Sequence, residues 1–102
     1  MKYELVLQFL ASSTADFDSL VSLETKLIEA LDETAVVDGH DFGSGKFNIF
    51  ILTNEPATTF TQAHQVIVDE RIPNDLRSAY RAIDGEGYVV VWPSHPSEFS
   101  VL

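Results

Sequence analysis

The sequence predicts an α+β fold: a four-stranded antiparallel sheet with helices on one face, its elements ordered β-α-β-β-α-(α)-β. Three patterns lead there. Tyr3, Leu5, Leu7 and Phe9 alternate with Glu4, Val6, Gln8 and Leu10, the two-residue period of a strand. Phe17, Leu20, Leu23, Leu27, Ile28 and Leu31 recur at three- and four-residue steps, the period of an amphipathic helix. Gly43-Ser44-Gly45 then leads into Phe47–Thr53, a β-forming run, which reads as the turn and second arm of a hairpin.

Each element has local signals. Ser12, Ser13 and Thr14 offer capping hydroxyls ahead of the first helix, and Asp16 and Asp18 suit its electropositive N-terminus. Thr34–Asp38 reads as the second strand, followed by a connection punctuated by Gly39, Gly43 and Gly45. Asn54-Glu55-Pro56 opens a second helix, with Pro56 in the first turn, where its missing N–H costs nothing. Phe60, Ala63, His64 and Ile67 mark the inner face of that helix, and Ile72-Pro73 ends the segment. Leu76, Ala79, Tyr80 and Ile83 predict a short third helix capped by Asn74 or Asp75. After the turn Asp84–Gly87, residues Tyr88–Trp92 form the fourth strand, stopped by Pro93. Residues 1–93 are read as one domain and 94–102 as a polar C-terminal tail.

Two split β-α-β units in this order resemble the ferredoxin-like sandwich, which implies a sheet order of 4-1-3-2. The resemblance is one of topology, and such a fold hosts many unrelated functions. Within it, the run Asp38-Gly39-His40-Asp41-Phe42-Gly43-Ser44-Gly45, continued by Asn48-Ile49-Phe50-Ile51, is similar to a signature of small bacterial proteins without assigned activity. That similarity implies a compact domain and assigns no catalytic residue.

Composition narrows the function. The 102 residues are 45% hydrophobic, enough for a core, and carry a net charge of −10 from 16 acids and 6 bases. Nucleic-acid backbones and anionic membranes are repelled by such a chain, whereas a basic protein is attracted. The N-terminal apolar run is interrupted by Glu4 and Gln8 and is too short to span a bilayer. With no cysteine, disulfides are excluded and a reducing compartment fits. The expectation is a cytoplasmic protein with a protein partner, no cofactor, and neither nucleic acid nor membrane as partner.

Candidate site residues follow from alternation. With Tyr3, Leu5, Leu7 and Phe9 turned toward the helices, and Phe47, Ile49 and Ile51 with them, the opposite face holds Glu4, Gln8, Asn48 and Phe50. Asp38 and His40 are expected on its rim, with Tyr88 and Trp92 bordering it. Gln8, Asp38, His40, Asp41, Asn48 and Trp92 are therefore the candidate binding residues: a polar floor with aromatic walls suits a small ligand or a partner surface.

Other chemistries fit less well. Asp38 and His40 are too few ligands for a metal, and neither His64 nor His95 is spaced to complete a set. His40 with Asp38 or Asp41 has the composition of an acid–base pair, but turn chemistry explains the same residues. Gly43-Ser44-Gly45-Lys46 fails as a phosphate loop, since Phe47 and a strand follow the lysine. His64, one turn after Phe60, reads as a buried, hydrogen-bonded histidine. Arg77 and Arg81, with Arg71 upstream, concentrate half of the bases and suit pairing with the surplus acids or a small anion.

Three functions are consistent with these features. The first is a non-enzymatic binding module for a basic protein, of which small acidic immunity proteins are one kind. The second is a ligand-binding protein or cofactor-free enzyme resembling the dimeric α+β barrel monooxygenases, although no motif of that family is matched. The third is a structural or regulatory homodimer whose sheet faces pack together.

Overall fold

The computed structural model describes residues 1–93 apart from 12, 32, 34, 73 and 74. Expectations that fall on those five positions, on His95 or on the tail 94–102 lie outside the described residues.

The first strand, β1 (Tyr3–Leu10), is followed by α1 (Thr14–Ala30), β2 (Ala35–Gly43), β3 (Lys46–Thr53), α2 (Pro56–Asp69), β4 (Arg77–Ala82) and β5 (Val89–Trp92). Five strands form one antiparallel sheet in the order β2-β3-β1-β4-β5. Both helices cover one face. Leu5, Leu7 and Phe9 of β1 and Phe47, Ile49 and Ile51 of β3 share a core with Leu20, Leu23 and Leu27 of α1 and with Phe60, Ala63 and Ile67 of α2. Burial of such side chains, at roughly 25 cal/mol per Å² of apolar surface, is the main force joining the layers.

Local chemistry sets the boundaries. Ser13 caps α1, its Oγ accepting the Asp16 N–H at 3.1 Å. Pro56 lies in the first turn of α2. The β2–β3 hairpin closes through two residues, Ser44 and Gly45, with Gly43 opposite Lys46. Ser44 has φ 53° and Gly45 φ 74°, the pair of positive angles a type I′ turn requires. The Gly45 carbonyl also accepts the Ala11 N–H at 3.0 Å, fastening the turn to the end of β1.

Two expectations are corrected. The sheet has five strands, not four, because the segment predicted as a third helix is β4. Leu76, Ala79, Tyr80 and Ile83 satisfy a helical period, but Arg77–Ala82 is only six residues, and periodicity over so short a run does not decide between helix and strand. The free side of β1 decides it: pairing Leu5 with Tyr80 and Leu7 with Ser78 satisfies backbone groups that a helix would leave exposed on the sheet. The strand predicted at Tyr88–Trp92 becomes the outer neighbour of β4. The second strand also runs to Gly43 instead of stopping at Asp38, so Gly39–Phe42 are sheet and not loop.

Candidate functional site

A β-bulge decides where the candidate residues of β2 stand. Val37 lies opposite Ile51 and Gly39 opposite Phe50, so Asp38 is the extra residue. Counted from Val37, an unbroken strand would set His40 across from Asn48, on the face away from the helices. The bulge reverses that parity. His40 faces Ile49 and Asp41 faces Asn48. Gly39 takes φ 148° at the bulge, an angle side-chain-bearing residues rarely adopt.

His40 is therefore on the helix-covered face, contrary to expectation. Its Nδ1 lies 2.9 Å from Glu24 Oε1 of α1. An ionised carboxylate only accepts, so Nδ1 carries the proton and Nε2 is the nitrogen turned away from the pair. The ring stacks on Phe47 at 4.8 Å between centroids and meets the edge of Phe17 at 6.2 Å. Phe17 also makes edge contacts with Phe42 at 5.4 Å and Phe47 at 5.5 Å. Phe47 is fully buried while Phe42 remains 47% exposed. Four rings thus form a ladder from the core to the surface, where β2 borders α1. Asp38, in the bulge, and Asp41, on the opposite face of β2, are both exposed.

Gln8 and Asn48 stand opposite each other on the face away from the helices, as expected. Gln8 Nε2 donates to Asn48 Oδ1 at 3.0 Å, and both residues are almost fully buried. The amides serve each other in the middle of the sheet, beside Val6 and Ala79, which are equally buried. Trp92 departs from its expected place. It is opposite Ser78, not on the outer face, and its ring packs against His64 at 4.7 Å and Phe60 at 6.1 Å. His64 is held in that stack, with Phe60 at 5.2 Å, by ring contacts where a hydrogen bond was expected. The six candidates accordingly do not converge: His40 and Trp92 lie on the helix side at opposite edges, Gln8, Asn48 and Asp41 on the other face, and Asp38 in the bulge.

Arg81 is structural. Its Nη1 donates to the carbonyls of Ala82, Ile83 and Gly85 at 3.1–3.3 Å, and Nη2 lies 3.3 Å from Glu4. That ties the β4–β5 connection to β1 and uses one surplus acid.

Sequence reasoning missed two features. Glu24 is one: it lies seven residues after Phe17 and four before Ile28 on α1, a carboxylate on the flank that turns toward β2, and that placement is the signal that could have found it. The second is a cavity of about 90 Å³ lined by Phe9, Leu10, Asp16, Ser19, Leu20, Ile72 and Asp75. Burial raises the Asp75 pKa above its ordinary 3.8, the nearby Asp16 charge adds to this, and backbone N–H groups of Leu10 and Asp75 itself oppose it. A larger open depression, about 470 Å³, lies against Met1, Lys2, Tyr3, Ala82, Ile83 and Asp84.

Among the described residues, no three His, Asp or Glu side chains converge as metal ligands, and no helix is long and apolar enough to cross a membrane. Comparison with family models, curated proteins and solved structures returned no significant match.

Charge is concentrated on one flank. Residues 16–41 contain eight acids and a single base, Lys26. These residues make up α1 and most of β2, which the Glu24–His40 pair and the Phe17 contacts hold together. Asp18, Glu29, Glu33, Asp38 and Asp41 are exposed there, as are Ile28 and Phe42.

Proposed function

We propose that this chain is a non-enzymatic protein-binding module that docks a basic protein on the flank built by α1 and β2, as a small acidic immunity protein would. One observation carries the reading: α1 and β2, which carry the exposed acids Asp18, Glu29, Asp38 and Asp41, also present an exposed aromatic, Phe42, braced from below by Phe17 and Phe47. A braced apolar anchor on elements rich in one sign of charge has the form of a hot spot with a steering field. The same field disfavours nucleic acids and anionic membranes. A cysteine-free chain suits the cytoplasm. With β1 between β3 and β4, the topology supports a ferredoxin-like sandwich extended by one edge strand. A ligand-binding enzyme gains less support. His40 and Asn48, which would have had to line one pocket, face opposite sides of the sheet.

The reading is tested by immobilising the protein and passing lysate over it at moderate salt. The expected result is a basic protein retained by the wild type, released as salt rises, and lost from the Asp38→Lys/Asp41→Lys/Phe42→Ala variant. Retention of no basic protein, or equal retention by the variant, overturns it.

A further inference from the structure

β2 is an edge strand of unusual character. It is nine residues long, and among the described residues it pairs only with β3. Its other side presents alternate backbone N–H and C=O groups in position to take a further strand. The opposite edge, β5, offers four residues. Natural edges are commonly blunted with charged side chains, proline or a bulge. β2 has no lysine or proline; its bulge lies at Asp38, and beyond it the one acid is Asp41, whose charge a basic strand neutralises, with Val36 and Phe42 about half exposed.

We infer that the β2 edge receives an extended basic segment of the partner, which adds to the sheet as a sixth strand. This rests on the basic-partner reading above and specifies its mode. Charge selects the occupant. A second copy brings the same acidic edge against itself: in the antiparallel register centred between Gly39 and His40, Asp38 of each copy lies opposite Asp41 of the other, and like charges placed opposite each other are destabilising. A strand with lysine or arginine at alternate positions meets Asp41 on one face, while its apolar positions fall beside Phe42 and His40 on the other, following the observed alternation. The bulge at Asp38 and Gly39 interrupts regular pairing upstream, so Gly39–Gly43 is the segment where the added strand seats.

The probe is a synthetic nine-residue peptide of alternating lysine and valine, compared with the same peptide N-methylated at every second residue. N-methylation keeps the charge and removes the ability to pair as a strand. Affinity is measured by titration calorimetry, and the site by amide hydrogen exchange. The expected result is binding by the first peptide, with slowed exchange at alternate amides within residues 35–43, and loss of binding on N-methylation. Asp38→Lys/Asp41→Lys is expected to weaken binding about tenfold or more, whereas Asp69→Lys/Glu70→Lys at the end of α2, away from this flank, changes it about threefold or less. Both variants alter exposed side chains, and an unchanged melting transition verifies folding. Equal binding of both peptides, or slowed exchange confined to α1, overturns strand addition and leaves the basic-partner reading standing. Failure of both peptides to bind overturns strand addition and weighs against that reading too.

Discussion

At the residue scale, the side chains that read as chemistry prove to be held by structure. His40 is stacked on Phe47 and paired with Glu24, so its removal is felt in the fold. His40→Ala is expected to destabilise by about 1–2 kcal/mol, from one ring stack and one charge-assisted hydrogen bond at a partly exposed site; urea unfolding measures it, and an unchanged midpoint would show that the stack contributes nothing. Asn48 is expected to cost about 1–3 kcal/mol when changed to alanine, because the buried Gln8 amide loses its acceptor. Asp75 gives a pH test. Its carboxyl is protonated more readily folded than unfolded, so between its ordinary value and its raised one the unfolded chain loses the proton first. The associated stability is present at low pH and is lost as pH rises through the raised pKa. Asp75→Asn keeps an acceptor for the Leu10 N–H and removes that decline. Stability measured against pH on the two proteins should converge at low pH, with the variant the more stable at neutral pH.

At the element scale, the hairpin concentrates the backbone demands. Gly45 sits at φ 74°, and no atom lies near the position a Cβ would take. The cost of a side chain there is conformational, not steric crowding by neighbours. Gly45→Val is expected to destabilise by about 1–2 kcal/mol or more, and Gly45→Asn much less, since asparagine tolerates the left-handed region. Equal losses in thermal unfolding would argue against the type I′ turn. This turn was legible in the sequence, because glycine beside Lys46 and an apolar run is a local signal. So was the alternation of β1 and β3: Leu5, Leu7, Phe9, Phe47, Ile49 and Ile51 all reach the core. The bulge was not legible. Nothing in Val37-Asp38-Gly39 distinguishes an extra residue in a strand from the beginning of a loop, and one residue is enough to move His40 to the other face. β4 was hidden for a related reason. Its six residues are too few for periodicity to decide, and the choice is made by β1, about seventy positions or more away in the chain.

At the scale of the whole molecule, the sheet divides labour between its two edges and its centre. The centre, with Leu5, Val6, Leu7, Gln8 and Asn48 buried on both faces, specifies the fold. The β5 edge is short, and its Trp92 is drawn onto α2 by Phe60 and His64. The β2 edge is long, acidic and aromatic, and α1 adds its own acids beside it. Net charge was readable from composition, but its location was not. That required α1 and β2 to be neighbours, a relation set by the Glu24 and Phe17 contacts that sequence spacing alone leaves unassigned. Because exposed charges act through a field that salt screens within about 10 Å at 0.1 M ionic strength, their gathering on one flank matters more for encounter than the total does.

The central claim is that this flank, and not the opposite sheet face, is where the protein meets its partner. It is tested most directly by the affinity of the captured basic protein for three forms: wild type, Asp38→Lys/Asp41→Lys/Phe42→Ala, and a form altered on the other face by Phe50→Ala. The account expects the flank variant to bind about a hundredfold more weakly, the loss of an anchor together with its steering charges, and Phe50→Ala to bind as the wild type does. Weakened binding in Phe50→Ala with the flank variant unaffected would contradict it.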